Sequence, residues 1–213
     1  MRTAVLLGGL ACVALPATAQ QRPDLTIAAG AAVVRLQRDL ATGSALLEGP
    51  GFVAAGAVRL HGLAVGVEYL GGHLTPGGSG PAARDVVEGR VFLAASPWPW
   101  LVLSLGPQVR ALVTDSTTER SVFWQARARA QGPLVGPHLA SYVELWRAFA
   151  SATNLGAPLR RAQGGEAGLV FQPERSLVAL RLSYRVDDAA IGGGGETIEV
   201  LRLGVELGGR RAP

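Results

Sequence analysis

The chain has 213 residues, of which 17% are charged and 48% hydrophobic, and its formal net charge is +4. This composition excludes an intrinsically disordered chain, which is poor in apolar residues and rich in charge. The 29 glycines follow no G-X-Y period, which excludes a collagen. All 20 basic residues are arginine. A chain of this length is expected to form a single domain.

The first 19 residues have the layout of a secretory signal peptide. A charged start at Arg2 precedes an apolar stretch, and Ala17-Thr18-Ala19 matches a small-x-small cleavage site. Cys12 offers an alternative, in which it becomes the lipidated first residue of a lipoprotein. We expect residues 1–19 to be the signal and residues 20–213 to form one β-barrel domain that contains no cysteine, and therefore no disulfide.

The rest of the chain is dominated by alternation of apolar and polar residues, the pattern of a β-strand with two unlike faces. From Val178 to Val186 one face reads Val, Leu, Leu, Tyr, Val and the other reads Ala, Arg, Ser, Arg. The predicted strands are residues 25–36, 52–60, 63–72, 86–95, 101–114, 121–130, 138–150, 166–172, 177–187 and 197–207. Arg147 interrupts the apolar face of the seventh, which indicates either a β-bulge or an arginine that extends to a lipid headgroup.

The connections between these strands form a second pattern. Those after odd-numbered strands are longer or more polar: residues 37–51, 73–85, 115–120, 151–165 and 188–196. Those after even-numbered strands are tight or rich in proline: residues 61–62, 96–100, 131–137 and 173–176. Long loops at one end and short turns at the other are typical of bacterial outer-membrane barrels, whose short turns lie in the periplasm. The sequence therefore predicts an all-β, up-and-down antiparallel transmembrane β-barrel of about ten strands, with eight as the alternative count.

Alternation alone leaves open which face points inwards. In a membrane barrel the apolar face meets lipid, so Arg181 and Arg185 would lie inside, whereas in a soluble lipocalin-like carrier Leu180 and Leu182 would lie inside. The polar faces favour the membrane barrel, because they carry few charges of both signs, which suits a crowded interior where arginine pairs with glutamate. The charged residues assigned to this interior network are Arg59, Glu68, Glu88, Arg90, Arg110, Arg127, Arg129, Glu144, Arg181, Arg185, Arg202 and Glu206.

Aromatic residues fall near the ends of the predicted strands. Such barrels carry an aromatic girdle at each membrane interface. The residues assigned to these girdles are Tyr69, Trp98, Trp100, Trp124, Phe149, Phe171 and Tyr184.

The last predicted strand, Ile198 to Leu207, has alternating apolar residues with Gly204 among them. It is similar to the C-terminal assembly signal of the small bacterial outer-membrane β-barrel proteins, the OmpA-like or OmpW-like type, which the whole pattern resembles. The resemblance implies export to the outer membrane, contact with its lipids and recognition by the barrel-assembly machinery. The chain departs from the family pattern by continuing to Pro213 without a terminal aromatic residue.

Residues that could support catalysis or ligand binding are sparse. His73, Ser79 and Asp85 lie on or beside one predicted loop and are the residue types of a hydrolase or acyltransferase triad. His61 and His138 are assigned to the end of the barrel that lies away from His73. The three histidines therefore cannot meet, and no metal site is predicted. No cofactor is expected. No nucleic acid is expected either, because the arginines alternate along strands rather than forming one patch. Arg160 and Arg161 could bind lipopolysaccharide phosphates.

The predicted barrel is narrow, and eight strands enclose a space just wide enough for their own side chains. Tyr142 and Trp146 are expected to point inwards and obstruct it further. The sequence therefore favours a structural, small-solute or surface-interaction role with little ion conductance. A soluble carrier of a lipophilic ligand and a lipid-modifying enzyme of the outer membrane are the alternatives.

Overall fold

The computed structural model describes residues 23–40, 43–77, 82–154, 158–174, 176–192 and 194–208. The predicted signal peptide, Cys12 and Ser79 lie outside these residues. Within them the chain forms ten strands: Asp24–Leu40 (β1), Gly43–Leu60 (β2), Leu63–Pro76 (β3), Arg84–Trp98 (β4), Leu101–Val113 (β5), Thr118–Val135 (β6), Leu139–Thr153 (β7), Leu159–Phe171 (β8), Val178–Ile191 (β9) and Gly194–Gly208 (β10). No helix among the described residues is long and apolar enough to cross a membrane.

Each strand pairs antiparallel with the next one along the chain, and β10 pairs with β1. The sheet therefore closes into an up-and-down barrel without a free edge, and the predicted fold class is confirmed. Because the strands run alternately up and down, the first residue of β1 and the last residue of β10 lie at the same end of the barrel. We call this the termini end and the other the opposite end.

The apolar face of the strands points outwards. On β9, Leu180 and Leu182 are 48% and 46% exposed, whereas Arg185 is buried and Arg181 is half-buried. On β10, Leu201, Leu203, Val205 and Leu207 are likewise exposed. This is the arrangement expected of a barrel in lipid and the reverse of a soluble carrier.

The strands extend further than the sequence pattern indicated, and the predicted difference in connection length is wrong. The connections at the opposite end are residues 41–42, 77–83, 114–117, 154–158 and 192–193, and those at the termini end are residues 61–62, 99–100, 136–138 and 172–177. Segments assigned to long loops continue the backbone ladder instead, as in the pairing of Gln37 with Leu46 and with Thr197. Most of their outward residues are polar, Leu46 being an exception, so the hydrophobic alternation stops before the strand does.

A two-residue turn at the termini end joins β2 to β3 through His61 and Gly62. Both residues have positive φ angles, 52° and 79°. A two-residue hairpin of the I′ type needs a positive φ at both positions, because its twist then matches that of the flanking strands. Glycine adopts this conformation without a steric penalty, whereas His61 is one of the less common non-glycine residues that do.

The apolar core lies inside the barrel, towards the opposite end. Its members are inward-facing side chains of β1 to β5 and β10, and most of them have no more than 3% of their surface exposed: Ala32, Val34, Leu36, Leu47, Leu70, Leu74, Val86, Leu112, Ile198 and Val200. A smaller cluster on the other side of the interior includes Phe123 and Trp146, whose rings stack at 5.9 Å between centroids. Side chains therefore fill the opposite half of the lumen.

Candidate functional site

The inner faces of the strands bring most of the predicted charged residues into ion pairs. Arg90 binds Glu68 through two hydrogen bonds of 2.6 and 3.1 Å. The other pairs among the predicted residues are Arg110–Glu88, Arg185–Glu88, Arg127–Glu144, Arg129–Glu144 and Arg181–Glu206. Arg202 pairs instead with Glu166 at 3.3 Å, and Arg59 lines the cavity nearest the termini end.

The centre of the network is Arg110 on β5. Its guanidinium donates hydrogen bonds of 2.5 Å to both Glu88 and Asp187, and Arg185 donates to the other oxygen of Glu88 at 2.6 Å. Trp146 donates its indole N–H to Asp187 at 3.0 Å. All five side chains are buried, so each charge depends on its partners rather than on water.

A chain of charges continues from this centre to the opposite end. Glu196 lies 3.5 Å from Arg110 and accepts hydrogen bonds from Arg38, which also pairs with Glu119 at 2.6 Å. Arg84 bonds the second oxygen of Glu119 at 3.0 Å. Partial burial raises the pKa of the Glu119 carboxyl, but the charges of Arg38 and Arg84 outweigh burial and hold that pKa below its ordinary value.

Glu144 on β7 holds the network together towards the termini end. It accepts hydrogen bonds of 2.8 Å from both Arg127 and Arg129. Arg127 also donates to Gln108 at 2.9 Å, and Gln125 donates to the same amide oxygen. These contacts join strands β5, β6 and β7 across the interior.

Tyr142 on β7 contacts three other members of the network, which lie on β6, β8 and β9. Its hydroxyl donates to Glu166 at 2.5 Å. The guanidinium groups of Arg129 and Arg181 lie 4.6 and 5.0 Å from its ring centroid. Each guanidinium therefore gains a cation–π contact with the same ring.

Two glycines on the inner face of β8 make room for these aromatic rings. A Cβ at Gly168 would come within 2.6 Å of the Tyr142 ring, and one at Gly164 within 2.5 Å of the Trp146 indole nitrogen. Both distances are far below van der Waals contact. A side chain at Gly164 would displace the Trp146–Asp187 hydrogen bond, so the bare backbone of β8 is part of the site.

Several network members were missed at the sequence level. Arg38, Arg84, Glu119 and Glu196 fell in segments assigned to loops, while Asp187 and Glu166 lie within predicted strands but were not counted as inward-facing. The alternation of side chains along a strand, with its period of two, would have placed three of them on inner faces. Arg38 follows Leu36 by two residues, Glu196 precedes Ile198 by two and Asp187 follows Arg185 by two, so each lies on an inner face.

The interior is hollow towards the termini end. A cavity of about 180 Å³ reaches Thr26 and Arg59, and a smaller one of about 70 Å³ lies deeper, beside Arg185 and Arg202. The two cavities share Glu68, Arg90, Arg181 and Glu206 among their lining residues. The hollow part is therefore lined by paired charges of both signs, and it ends at the centre of the network, beside Glu88 and Arg185.

The predicted girdle aromatics all have exposed side chains. Trp98 and Trp100 stack at 5.7 Å near the termini end, where Phe171 also lies, and Phe52 contacts Tyr69 at 5.3 Å nearer the opposite end. The other exposed aromatics of the set are Trp124, Phe149 and Tyr184. The outer surface also carries a band of exposed aliphatic side chains, which includes Leu182 and Leu203 and which we call the apolar belt. The position of the aromatic rings at the membrane interfaces stays a prediction.

Arg147 lies on the outer face of β7, opposite Ala126 on β6 and Gln163 on β8. The β6–β7 register shifts between Trp124 and Gln125, so that Phe149 has no partner on β6. The structure therefore contains a bulge two residues beyond Arg147, but the bulge leaves Arg147 on the outer face, and the extension of its side chain to a lipid headgroup stays a prediction.

His73 and Asp85 face each other across β3 and β4 on the outer surface. His73 Nδ1 lies 2.6 Å from Asp85 Oδ1, and both side chains are exposed. Ser79, the third residue of the predicted triad, lies outside the described residues. Among the residues that the structure describes, no three His, Cys, Asp or Glu side chains are grouped as metal ligands.

No protein-family model and no curated protein matches the sequence. Solved structures similar to the chain include an outer-membrane channel from Pseudomonas putida F1, with a TM-score of 0.49, 10% identity and coverage of 88% of this chain and 95% of that one. The outer-membrane protease OmpT from Escherichia coli follows with a TM-score of 0.42, 7% identity and coverage of 88% and 96%. Ail, the attachment invasion locus protein of Yersinia pestis, has a TM-score of 0.38, 12% identity and coverage of 88% and 100%.

At these identities the similarity concerns the fold alone, and the three proteins differ in role. The closed barrel and its apolar outer face define the class, because only a membrane barrel exposes its aliphatic face and buries its charges. The chain has the fold of the small bacterial outer-membrane β-barrel proteins.

Proposed function

We propose that the protein is a closed barrel of the bacterial outer membrane with a structural or surface-interaction role, and that it does not form a diffusion channel. The observation that supports this is the filled opposite half of the interior. Leu36, Leu74 and Val86 project inwards there with no exposed surface, and Phe123 and Trp146 close the other side. An ion crossing the barrel would have to displace these buried side chains or open the ion pairs that run beside them from Arg110 to Arg38.

Catalysis is a weaker proposal for the same molecule. The His73–Asp85 pair could orient a base, but a hydrolase also needs a nucleophile against the imidazole. The described residues place no hydroxyl or thiol in hydrogen-bond contact with His73. The barrel interior offers paired charges, whose role in this proposal is to hold the strands together.

We expect the purified protein to give no stable single-channel steps in planar lipid bilayers. The filled half of the lumen removes a continuous water path, so only brief openings of the charged network would carry ions. A general diffusion porin inserted in the same bilayer serves as the control for the assay. Large, long-lived steps from the unaltered chain would contradict the proposed closed state.

We also expect the protein to remain in the membrane fraction after washing with carbonate or high salt, and to be released only by detergent. A periplasmic carrier needs a polar outer surface, whereas the apolar belt of this barrel exposes aliphatic side chains around its middle. A known periplasmic protein from the same cells should appear in the carbonate supernatant. Release of this chain in that supernatant would favour the lipophilic carrier instead.

A further inference from the structure

The outer surface near the opposite end has an uneven distribution of charge. The exposed basic residues of β6, β7 and β8 at that end are Arg120, Arg147, Arg160 and Arg161. The described outer faces of these three strands contain no carboxylate. The outer faces of β10 and β1 to β4 carry Arg35 against four carboxylates: Asp39, Glu48, Asp85 and Glu199. One sector of the rim is therefore cationic and the sector across the barrel is mainly anionic.

Arg147 marks the edge of the apolar belt in the cationic sector. In the outer row one step closer to the termini end, Leu145 pairs with Gly165, which pairs with Val186. In the row of Arg147 itself, the next neighbours are Gln163 on β8 and then Asp188 on β9. The guanidinium therefore lies where acyl chains give way to headgroups, the depth at which arginine is stable on the lipid face of a barrel.

The Arg147 guanidinium is not paired with a neighbouring carboxylate of the described residues, so it can bind an anion. It is exposed and forms no ion pair or side-chain hydrogen bond with any residue that the structure describes. Arg161, on the adjacent strand, pairs with Asp188 at 2.8 Å, but both of those side chains are about half exposed. An anion between Arg147 and Gln163 could contact Arg147 directly. It could contact Arg161 once that side chain turns away from Asp188, whose carboxylate also lines the groove.

Below Arg147 the outer surface forms a shallow groove that continues into the apolar belt. Its floor is made of small residues, Ala126 and Ala128 on β6 and Gly165 on β8, with the Leu145 side chain among them. Arg147 and Gln163 line its upper end. A chain of methylene groups lying there would cover exposed aliphatic surface, and its polar end would meet the arginines.

We propose that this surface binds one molecule of a phosphorylated membrane lipid, with a phosphate at Arg147 and Arg161 and an acyl chain in the groove. Guanidinium groups bind phosphate through paired, charge-assisted hydrogen bonds. A second copy of the chain fits less well, because a two-fold interface would bring arginine against arginine. This proposal rests on the proposed outer-membrane location, with the termini in the periplasm. The leaflet at the opposite end is then the outer one, and the lipid is the phosphorylated glycolipid portion of lipopolysaccharide.

The test is a titration of the full chain, in phosphatidylcholine nanodiscs, with diphosphorylated lipid A, using native mass spectrometry to count bound lipids. We expect one tight site in the unaltered protein. The double variant Arg147→Gln/Arg161→Gln should bind at least about tenfold more weakly, the change that follows the loss of one charge-assisted hydrogen bond. The matched control Arg35→Gln removes an arginine from the other sector and should leave the affinity within about twofold.

Any one of three results would overturn the proposal. The double variant could bind lipid A as tightly as the unaltered protein, the unaltered protein could bind dephosphorylated lipid A as tightly as the phosphorylated form, or Arg35→Gln could lose as much affinity as the double variant. Phosphatidylglycerol that binds as tightly as lipid A would overturn the assignment to a glycolipid. Heat-modifiable migration on a gel reports whether each variant is folded. Because carbonate extraction tests membrane residence separately, failure of lipid binding and failure of the proposed function give different results.

Discussion

Replacing Arg110 by methionine is expected to destabilise the folded barrel by about 3–5 kcal/mol, the cost of removing one partner from a buried ion network. Arg110 bonds both Glu88 and Asp187 at 2.5 Å, and each of these side chains has 5% or less of its surface exposed. Without Arg110, Arg185 alone would face these two carboxylates. Urea unfolding in lipid vesicles, followed by heat-modifiable migration and tryptophan fluorescence, measures the free energy of unfolding.

The matched control is Arg35→Met, which removes an arginine from the rim. Its pair with Glu199 has a separation of 3.8 Å, and the two side chains are 50% and 35% exposed. Water screens such a pair, so its loss should cost no more than about 1 kcal/mol. If both variants lose the same small amount, the interior network does not stabilise the barrel.

A second variant tests the interpretation that the cost arises from unbalanced charge. Adding Glu88→Gln to Arg110→Met removes one anion as well as the cation, and leaves Arg185 facing Asp187 alone. We expect the double variant to be less destabilised than the sum of the two single changes, because the residues share one network. Strict additivity would show that Arg110 and Glu88 contribute independently.

The sequence predicted the fold well where one face meets lipid and the other meets charge. From Val178 to Val186 the alternation identified both faces of β9 correctly, because the hydrophobic difference between the faces is large there. At Val33 and Val34 the alternation is lost, since Val33 faces lipid while Val34 packs in the apolar core. The alternation of polar and apolar residues therefore could not predict the apolar core, because both faces of the strand are apolar there.

Strand ends were mispredicted for a related reason. Beyond the apolar belt the outer face becomes polar, as at Gln37, and a polar segment resembles a loop. Backbone pairing continues, because the ladder of β1 with β2 extends to Leu40 and Gly43. Hydrogen bonds of the backbone leave little trace in composition. The segments that carry the inward-facing Arg38 and Glu119 were therefore assigned to loops, although the ladders of β1 and β6 include them.

Substituting arginine for Leu203 is expected to cost about 2–4 kcal/mol in lipid vesicles, the penalty measured for a cation on the lipid face near the bilayer midplane. Leu203 is 61% exposed, and its cross-strand neighbours on the outer face are Ala31 and Leu182. No carboxylate lies among these neighbours to pair with the new charge. The free energy of unfolding in urea gives the cost directly.

The control for this change is Gln37→Arg, which places the same side chain on the outer face of β1 beyond the apolar belt. Gln37 is exposed and lies beside Asp39, so the added arginine should change the unfolding free energy by less than about 1 kcal/mol. The contrast between the two positions depends on lipid, because water solvates arginine at either one. A Leu203→Arg variant as stable as Gln37→Arg would mean that the outer leucines face water, and the membrane barrel would have to be abandoned for a soluble one.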